Sequence, residues 1–122
     1  MRALIVDDSR FVRTHLRGLL QERGIESEEA ANGQTALDLL HSGLKVDFVL
    51  VDWSTPVVNG LEMVKRMRRE GFSRVKVMMV TTESESEFVV LALNAGADAY
   101  LMEPFDGQSL GEKLAMLGLV EA

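Results

Sequence analysis

Short apolar runs alternate along the chain with longer amphipathic stretches. Most of the runs are β-branched or apolar at every position, which is typical of strands buried on both faces. They cover residues 3–6, 25–30 (the weakest), 46–51, 75–80 and 99–102. The stretches between them place apolar residues at helical spacing, as at Val12, Leu16 and Leu19. The pattern therefore predicts five strand–helix units.

Alternating units of this kind predict an α/β fold, with a doubly wound parallel sheet, helices on both faces and right-handed crossovers. Glycines mark the predicted helix ends, where a left-handed residue is favoured, at Gly24, Gly43, Gly71 and Gly96. The 122 residues suit one domain, which we expect to span residues 1–122. Because such sheets bind ligands at the carboxyl ends of their strands, the residues that follow each strand are the candidates for function.

Composition excludes several classes of protein. The absence of cysteine excludes disulfide scaffolds, thiolate metal sites and cysteine nucleophiles. No apolar run approaches the ~18 residues of a membrane span, and the first residues turn acidic too early for a signal peptide, so we expect a cytoplasmic protein. A net charge of −6 disfavours binding to nucleic acid or membranes. The densest basic cluster, residues 65–69, is predicted to be a solvated helix face.

Acidic residues follow several of the predicted strands. The strand ends carry Asp7-Asp8, Asp52, Thr81-Thr82-Glu83 and Glu103-Pro104-Phe105. Packed carboxylates raise one another's pKa unless a cation joins them, and oxygen ligands without His or Cys favour Mg²⁺ or a similar ion. A divalent cation beside a carboxylate indicates phosphoryl chemistry. The sequence contains no P-loop, no dinucleotide-binding glycine fingerprint and no Asp-x-Asp pair.

The histidines and most of the methionines are predicted to have structural and not catalytic roles. His15 and His41 fall inside helical patterns, and we expect them on or near the helix surface, away from the acidic edge. The methionines of the strands and third helix are predicted to fill the core, at Met63, Met67, Met78, Met79 and Met102.

Taken together, these residues resemble the receiver domain of two-component response regulators, in particular the CheY-like single-domain chemotaxis-type regulators. The resemblance covers essentially the whole chain. Its marks are Val6-Asp7-Asp8, Asp52 after Val49-Leu50-Val51, Pro56 with Gly60, Val80-Thr81, Gly96-Ala97-Asp98-Ala99-Tyr100 and Pro104-Phe105. The resemblance implies a flavodoxin-like sheet of order 2-1-3-4-5.

The resemblance also implies the site chemistry. Asp52 would accept a phosphoryl group from the phosphohistidine of a histidine kinase. Asp8, Asp52 and the backbone carbonyl of Ser54 would ligate Mg²⁺ (or Mn²⁺), which Asp7 would reach through water. Ser54 and Glu83 would tune the lifetime of the phosphorylated form.

Signalling roles follow from the same resemblance. Thr81 would bind a phosphoryl oxygen and draw in the loop that follows it, and Tyr100 would switch between exposed and buried rotamers. The face formed by helix 4, strand 5 and helix 5 would present the change to a protein partner, such as a flagellar switch or a relay protein. Such a protein would act as a monomer that catalyses its own phosphorylation and dephosphorylation, and would not be a turnover enzyme.

Two positions depart from the family pattern: Thr55 stands where a methionine is expected, which matters less, and Glu103 stands where a lysine is expected. This replacement leaves open an alternative function, that of a receiver-like interaction module not regulated by phosphorylation. Glu103 has two ways to avoid repelling a phosphoryl group: it turns to solvent and pairs with Arg10, or it joins the acidic cluster and helps to hold a cation. We favour the second, because an added carboxylate strengthens the demand for positive charge.

Overall fold

The computed structural model describes residues 1–82 and 86–121. Five strands alternate with five helices, and each predicted strand is present with its ends moved by at most two residues. The elements are β1 Arg2–Val6, α1 Arg10–Gln21, β2 Glu26–Ala30, α2 Gly33–His41, β3 Phe48–Asp52, α3 Gly60–Arg69, β4 Lys76–Thr81, α4 Ser86–Ala95, β5 Ala99–Met102 and α5 Gly107–Met116.

The strands form one parallel sheet of order β2-β1-β3-β4-β5, which confirms the predicted fold. Val51 pairs with Val6 on one side and with Met79 on the other, so β1, β3 and β4 end almost level with one another. The chain turns in opposite directions from β1 and β3, and this switch point opens a crevice at their carboxyl ends. The predicted acidic edge borders this crevice.

Two apolar layers cover the faces of the sheet. One contains Ile5, Leu50 and Met78 with residues of α1 and α5, and the other contains Val6, Val51 and Met79 with residues of α2 and α3. The central strands are buried on both faces, which explains why their sequences are continuously apolar. By contrast, β2 is an edge strand of sequence ESEEA, and its charges discourage pairing with other strands.

The remaining sequence predictions have mixed outcomes. The four glycines predicted to end helices all have positive φ, between 73° and 115°. Met63, Met67, Met78 and Met79 are fully buried as predicted. Met102 is 39 % exposed, so its assignment to the core was wrong. It is the last residue of β5, which is an edge strand and so has a neighbouring strand on one side only among the described residues.

The basic cluster of α3 is solvated at Lys65 and Arg69, as predicted, but not at Arg68. Arg68 donates hydrogen bonds to the backbone carbonyls of Phe72, Val75 and Gly96 at 2.7–3.0 Å. Its Nη2 also lies 2.9 Å from Oδ2 of Asp98, which accepts a further bond from the N–H of Val77. Arg68 thus ties α3 to the loops that lead into β4 and β5. Sequence spacing missed this role because the partners are mostly carbonyls.

No helix within the described ranges is both long enough and apolar enough to cross a membrane.

Candidate functional site: an acidic crevice beside an apolar cavity

Three carboxylates meet where β1 and β3 end. Asp7 and Asp8 follow β1, and Asp52 is the last residue of β3. Each offers one carboxylate oxygen, and these oxygens lie within 4.8 Å of one another. The neighbouring positions of β1 and β3 in the sheet produce this cluster, because side chains just past two adjacent parallel strands point into the same crevice.

Asp7 is the most buried member of the cluster, with 4 % exposure. Its Oδ1 accepts a 2.8 Å hydrogen bond from the N–H of Ser9, the residue that caps α1, and its backbone carbonyl accepts one of 2.7 Å from Arg13. Burial raises the pKa of Asp7 to about 6, and the negative charges of Asp52, Asp8 and Glu103 add to this effect against the Ser9 hydrogen bond. A cation bound nearby would lower this pKa and stabilise the ionised form of Asp7.

Asp52 is half-buried and faces the crevice. Its Oδ2 accepts a 3.2 Å hydrogen bond from the hydroxyl of Ser54, and its Oδ1 lies 3.4 Å from the Ser54 N–H. Burial raises the pKa of Asp52, as does the charge of Asp8, while the two Ser54 contacts lower it. Ser54 therefore lies directly beside the Asp52 carboxylate. This position is consistent with its predicted role, which is to tune the lifetime of the phosphorylated form.

The loop after β3 is closely packed against its neighbours. The N–H of Gly60 donates a 3.0 Å hydrogen bond to the carbonyl of Trp53, and a Cβ at Gly60 would lie 2.5 Å from the carbonyl oxygen of Asp52. A Cβ at Gly33, at the start of α2, would collide with the carbonyl of Val58. These two glycines let α3 and α2 approach the loop that follows Asp52, which explains the Gly60 part of the sequence motif.

A tight turn completes this loop. Val57 has φ of 69°, and the N–H of Val58 donates a 2.8 Å hydrogen bond to the carbonyl of Pro56, which makes a γ-turn. The buried hydroxyl of Thr55 donates to the carbonyl of Val58 at 3.0 Å. A positive φ is unfavourable for a β-branched residue, so the neighbouring hydrogen bonds hold Val57 in this conformation.

Thr81 and Glu103 lie at the ends of β4 and β5. Thr81 is 3 % exposed, and its carbonyl accepts a 2.8 Å hydrogen bond from the N–H of Glu103. The backbone therefore joins the predicted phosphoryl-binding residue directly to the position that departs from the family pattern. Tyr100, on β5, is buried with 9 % exposure. Glu83 lies outside the described residues.

Glu103 lies close to the acidic cluster without belonging to it. Its pKa is raised by burial and by the charge of Asp52. Among the described residues, the group able to share a metal ion contains Asp7, Asp8 and Asp52 but not Glu103. No ion pair or hydrogen bond joins Glu103 to Arg10 in the part of the chain that the structure describes.

An apolar cavity of about 270 Å³ adjoins the site on the side of Glu103. Its walls are formed by Val12, His15, Thr82, Glu103, Pro104 and Phe105. The rings of His15 and Phe105 are tilted by 32° with their centroids 5.6 Å apart. The prediction that His15 lies away from the functional edge was therefore wrong, because α1 brings it over the end of β5. His41 does lie elsewhere, 2.6 Å from Glu70.

Sequence reasoning missed this cavity because its residues come from three separate segments. Val12 and His15 belong to α1, while Glu103 and Phe105 follow β5. The available signal was the aromatic residue Phe105 shortly after β5, together with an apolar and a polar residue three positions apart in α1. That signal is weak without knowledge of the order of the strands.

Comparisons with known proteins agree with this architecture. The sequence matches the family model of the response regulator receiver domain over residues 3–115. It is 37 % identical over 116 residues to the chemotaxis protein CheY of Pseudomonas aeruginosa, with 93 % of both chains covered. It is 40 % identical over 116 residues to a chemotaxis protein CheY homolog of Campylobacter jejuni, with 93 % of this chain and 89 % of the relative covered.

Solved structures give the same result. A CheY-like receiver domain protein from Methanospirillum hungatei superposes with a TM-score of 0.85 at 32 % identity, with 95 % of this chain and 91 % of that chain covered. CheY4 of Vibrio cholerae also has a TM-score of 0.85 at 32 % identity, with 94 % and 96 % covered. With the sheet order, the sequence match and these structural similarities in agreement, the chain belongs to the response regulator receiver family.

Proposed function

We propose that the protein is a phosphorylation-dependent signalling receiver that accepts a phosphoryl group on Asp52 from a histidine kinase. The main support is the meeting of Asp7, Asp8 and Asp52 with carboxylate oxygens within 4.8 Å of one another. Such a cluster suits Mg²⁺ or Mn²⁺, because hard oxygen donors dominate and no His or Cys takes part. Burial raises the pKa of Asp7, and the charges of Asp52, Asp8 and Glu103 raise it further, so a bound cation would stabilise the ionised carboxylate.

In the transfer step, a carboxylate oxygen of Asp52 attacks the phosphorus of a phosphohistidine. The new O–P bond forms as the P–N bond breaks, and the imidazole leaves with the electron pair. Asp8, Asp52 and the Ser54 carbonyl would hold the divalent cation, with Asp7 reaching it through water. A bound cation supplies neutralisation of charge on the transferring group. Ser54 and Glu83 would set how quickly water removes the phosphoryl group.

The output passes through β4 and β5 to a protein partner. Thr81 would bind a phosphoryl oxygen, and the 2.8 Å hydrogen bond from Glu103 to its carbonyl would carry the movement toward β5. Tyr100 would change rotamer from the buried position seen here. The face of α4, β5 and α5 suits a docking partner because it exposes apolar side chains, including Leu91, Leu93 and Met102 at 39–48 %.

The chemotaxis relatives suggest a flagellar switch or a relay protein as the target of a monomeric, cytoplasmic signalling domain spanning residues 1–122. The alternative, an interaction module that is not regulated by phosphate, has Glu103 as its only support. Asp7, Asp8, Asp52 and Thr81 all favour the signalling receiver.

The test is to incubate the protein with Mg²⁺ and a small acyl phosphate and to measure its intact mass. We expect the addition of one phosphoryl group, and its loss when EDTA replaces Mg²⁺. An unchanged mass at saturating Mg²⁺ and phosphodonor contradicts the proposal and supports the alternative.

A further inference from the structure

Phosphorylation of Asp52 would leave the crevice with more negative than positive charge. A phosphoryl group carries about −1.5 to −2 charges at neutral pH. It would lie beside Asp7, Asp8 and Glu103, against the two positive charges of one divalent ion. Glu103 cannot reduce this excess, since it adds a carboxylate and lies outside the group of three aspartates that share a metal position in the described chain.

Within the described residues, no arginine forms an ion pair with the carboxylates of the crevice or with Glu103. Arg13 is held by the carbonyl of Asp7 and, at 3.0 Å, by the carboxylate of Glu29. Arg10 forms no ion pair with Glu103 in the described residues. None of the six residues that line the cavity beside Glu103 is a lysine or an arginine.

The cavity has the shape and chemistry of a binding site for an organic cation. Val12 and Pro104 provide apolar wall for an aliphatic stem, and Phe105 and His15 provide aromatic rings. Glu103 is the acidic residue among those that line the cavity, and Thr82 is the one that carries a hydroxyl. A planar guanidinium stacks on aromatic rings and donates paired hydrogen bonds to a carboxylate, so it fits these walls better than a strongly hydrated ammonium does.

We propose that this cavity binds the arginine side chain of a partner protein, whose guanidinium pairs with Glu103 and brings positive charge to the phosphorylated crevice. The role of that charge rests on the proposed function, whereas the binding itself does not. The partner would thereby favour the phosphorylated form by engaging it. Glu103 acts as a positioning residue: it holds the partner's guanidinium beside the crevice, so that the partner supplies the positive charge that this chain lacks there.

The binding test uses N-propylguanidinium as the probe and two-dimensional amide NMR as the readout, without phosphodonor. We expect saturable shifts at Val12, His15, Thr82 and Phe105. Glu103→Gln should weaken binding about fivefold or more, because a charge-assisted pair is lost. Glu28→Gln removes the same charge from the opposite edge strand and should leave binding unchanged. The uncharged analogue N-propylurea should not saturate.

Several outcomes overturn the proposal. Shifts that never saturate, or equal binding of N-propylurea, would show that the cavity does not select a cation. Tighter binding of n-butylammonium would assign the cavity to lysine and contradict the arginine assignment. An unchanged affinity in Glu103→Gln would remove Glu103 from the site.

The second test measures the rate at which Mg²⁺ and a small acyl phosphate phosphorylate the protein. Millimolar N-propylguanidinium should raise this rate several-fold in the native protein, with no rise in Glu103→Lys, where the charge is supplied within the chain. Binding without acceleration would overturn the role of the charge. A complete absence of phosphorylation would instead contradict the proposed function, and the NMR titration would still decide whether the cavity binds a guanidinium.

Discussion

The two ends of the sheet differ in whether their charged side chains are paired with opposite charge. At the amino ends of β4 and β5, the guanidinium of Arg68 has a carboxylate and three backbone carbonyls as partners, all within 3.0 Å. At the carboxyl ends of β1 and β3, Asp7, Asp8 and Asp52 meet one another with no guanidinium or ammonium paired to their carboxylates in the described residues. The charge at the amino end is paired with opposite charge, whereas the charges at the carboxyl end are not paired within the described residues.

This difference separates stability from reactivity. A paired, partly buried charge stabilises the fold and makes its partners hard to replace. Carboxylates that repel one another destabilise the fold. Binding of a cation reduces this repulsion, so the same cluster that lowers stability favours cation binding and reaction.

Substitution at the acidic end should have its largest effect on chemistry. Asp52→Asn is nearly isosteric, but an amide is a far poorer nucleophile, so we expect complete loss of phosphoryl incorporation measured by intact mass. Asp38→Asn, on the exposed face of α2, is the matched control and should be phosphorylated normally. Equal incorporation in Asp52→Asn would move the acceptor to another residue.

Substitution at the paired end should instead affect stability. Arg68→Ala leaves Asp98 and three carbonyls without their donor, so we expect a loss of about 3 kcal/mol in the free energy of unfolding. Chemical denaturation measures this loss. Arg69→Ala removes a side chain that is 66 % exposed and 3.6 Å from Glu62, and should cost less than ~0.5 kcal/mol. Similar losses in the two variants would remove the distinction between the ends.

The pH dependence of stability should also reveal the acidic end. Because the pKa of Asp7 is raised from 3.8 to about 6 in the folded state, the folded protein binds a proton that the unfolded chain has released between these values. Stability contributed by the protonated acid is present below pH ~4 and is lost as the pH rises through ~6, by about 2–3 kcal/mol. Denaturation at a series of pH values should show this fall, and Asp7→Asn or saturating Mg²⁺ should reduce it. The same pH dependence in the native protein and in Asp7→Asn would contradict the raised pKa.

Trp53, the only tryptophan, gives a direct signal from the crevice. It follows Asp52 and packs edge-on against Phe88, with ring centroids 5.5 Å apart. Its fluorescence should respond saturably to Mg²⁺ or Mn²⁺, because a bound ion changes the charge beside the indole. Asp8→Ala should suppress this response. A flat titration of the native protein would count against a metal site here.

The smallest effect is expected at Glu103. Glu103→Lys changes a nearby charge by two without removing a carboxylate of the three-aspartate group, so we expect divalent-ion affinity to weaken by roughly fivefold. The midpoint of the Trp53 titration measures this change. An unchanged midpoint would show that the charge of Glu103 does not affect metal binding. Its proposed role would then be limited to binding in the neighbouring cavity.

The sequence predicted the acidic end better than the paired end, for a physical reason. Asp7, Asp8 and Asp52 each follow a buried strand, so the general rule for parallel sheets brings them together without any knowledge of side-chain contacts. Arg68 looked like one charge in a basic cluster, since its carbonyl partners carry no signal in the sequence. The position of His15 failed for a similar reason: it depends on how α1 crosses the end of β5, which hydrophobic spacing does not specify.

Gly60 imposes a narrow limit on how this sequence can vary. Even the methyl group of alanine would lie 2.5 Å from the carbonyl oxygen of Asp52, so the backbone of the proposed acceptor would have to shift. Gly24 differs, because open space surrounds the place of its missing side chain and only its φ of 73° disfavours other residues. In a saturation mutagenesis library selected for signalling, position 24 should therefore tolerate asparagine, whereas position 60 should remain glycine. Two glycines that look alike in the sequence would follow different evolutionary histories.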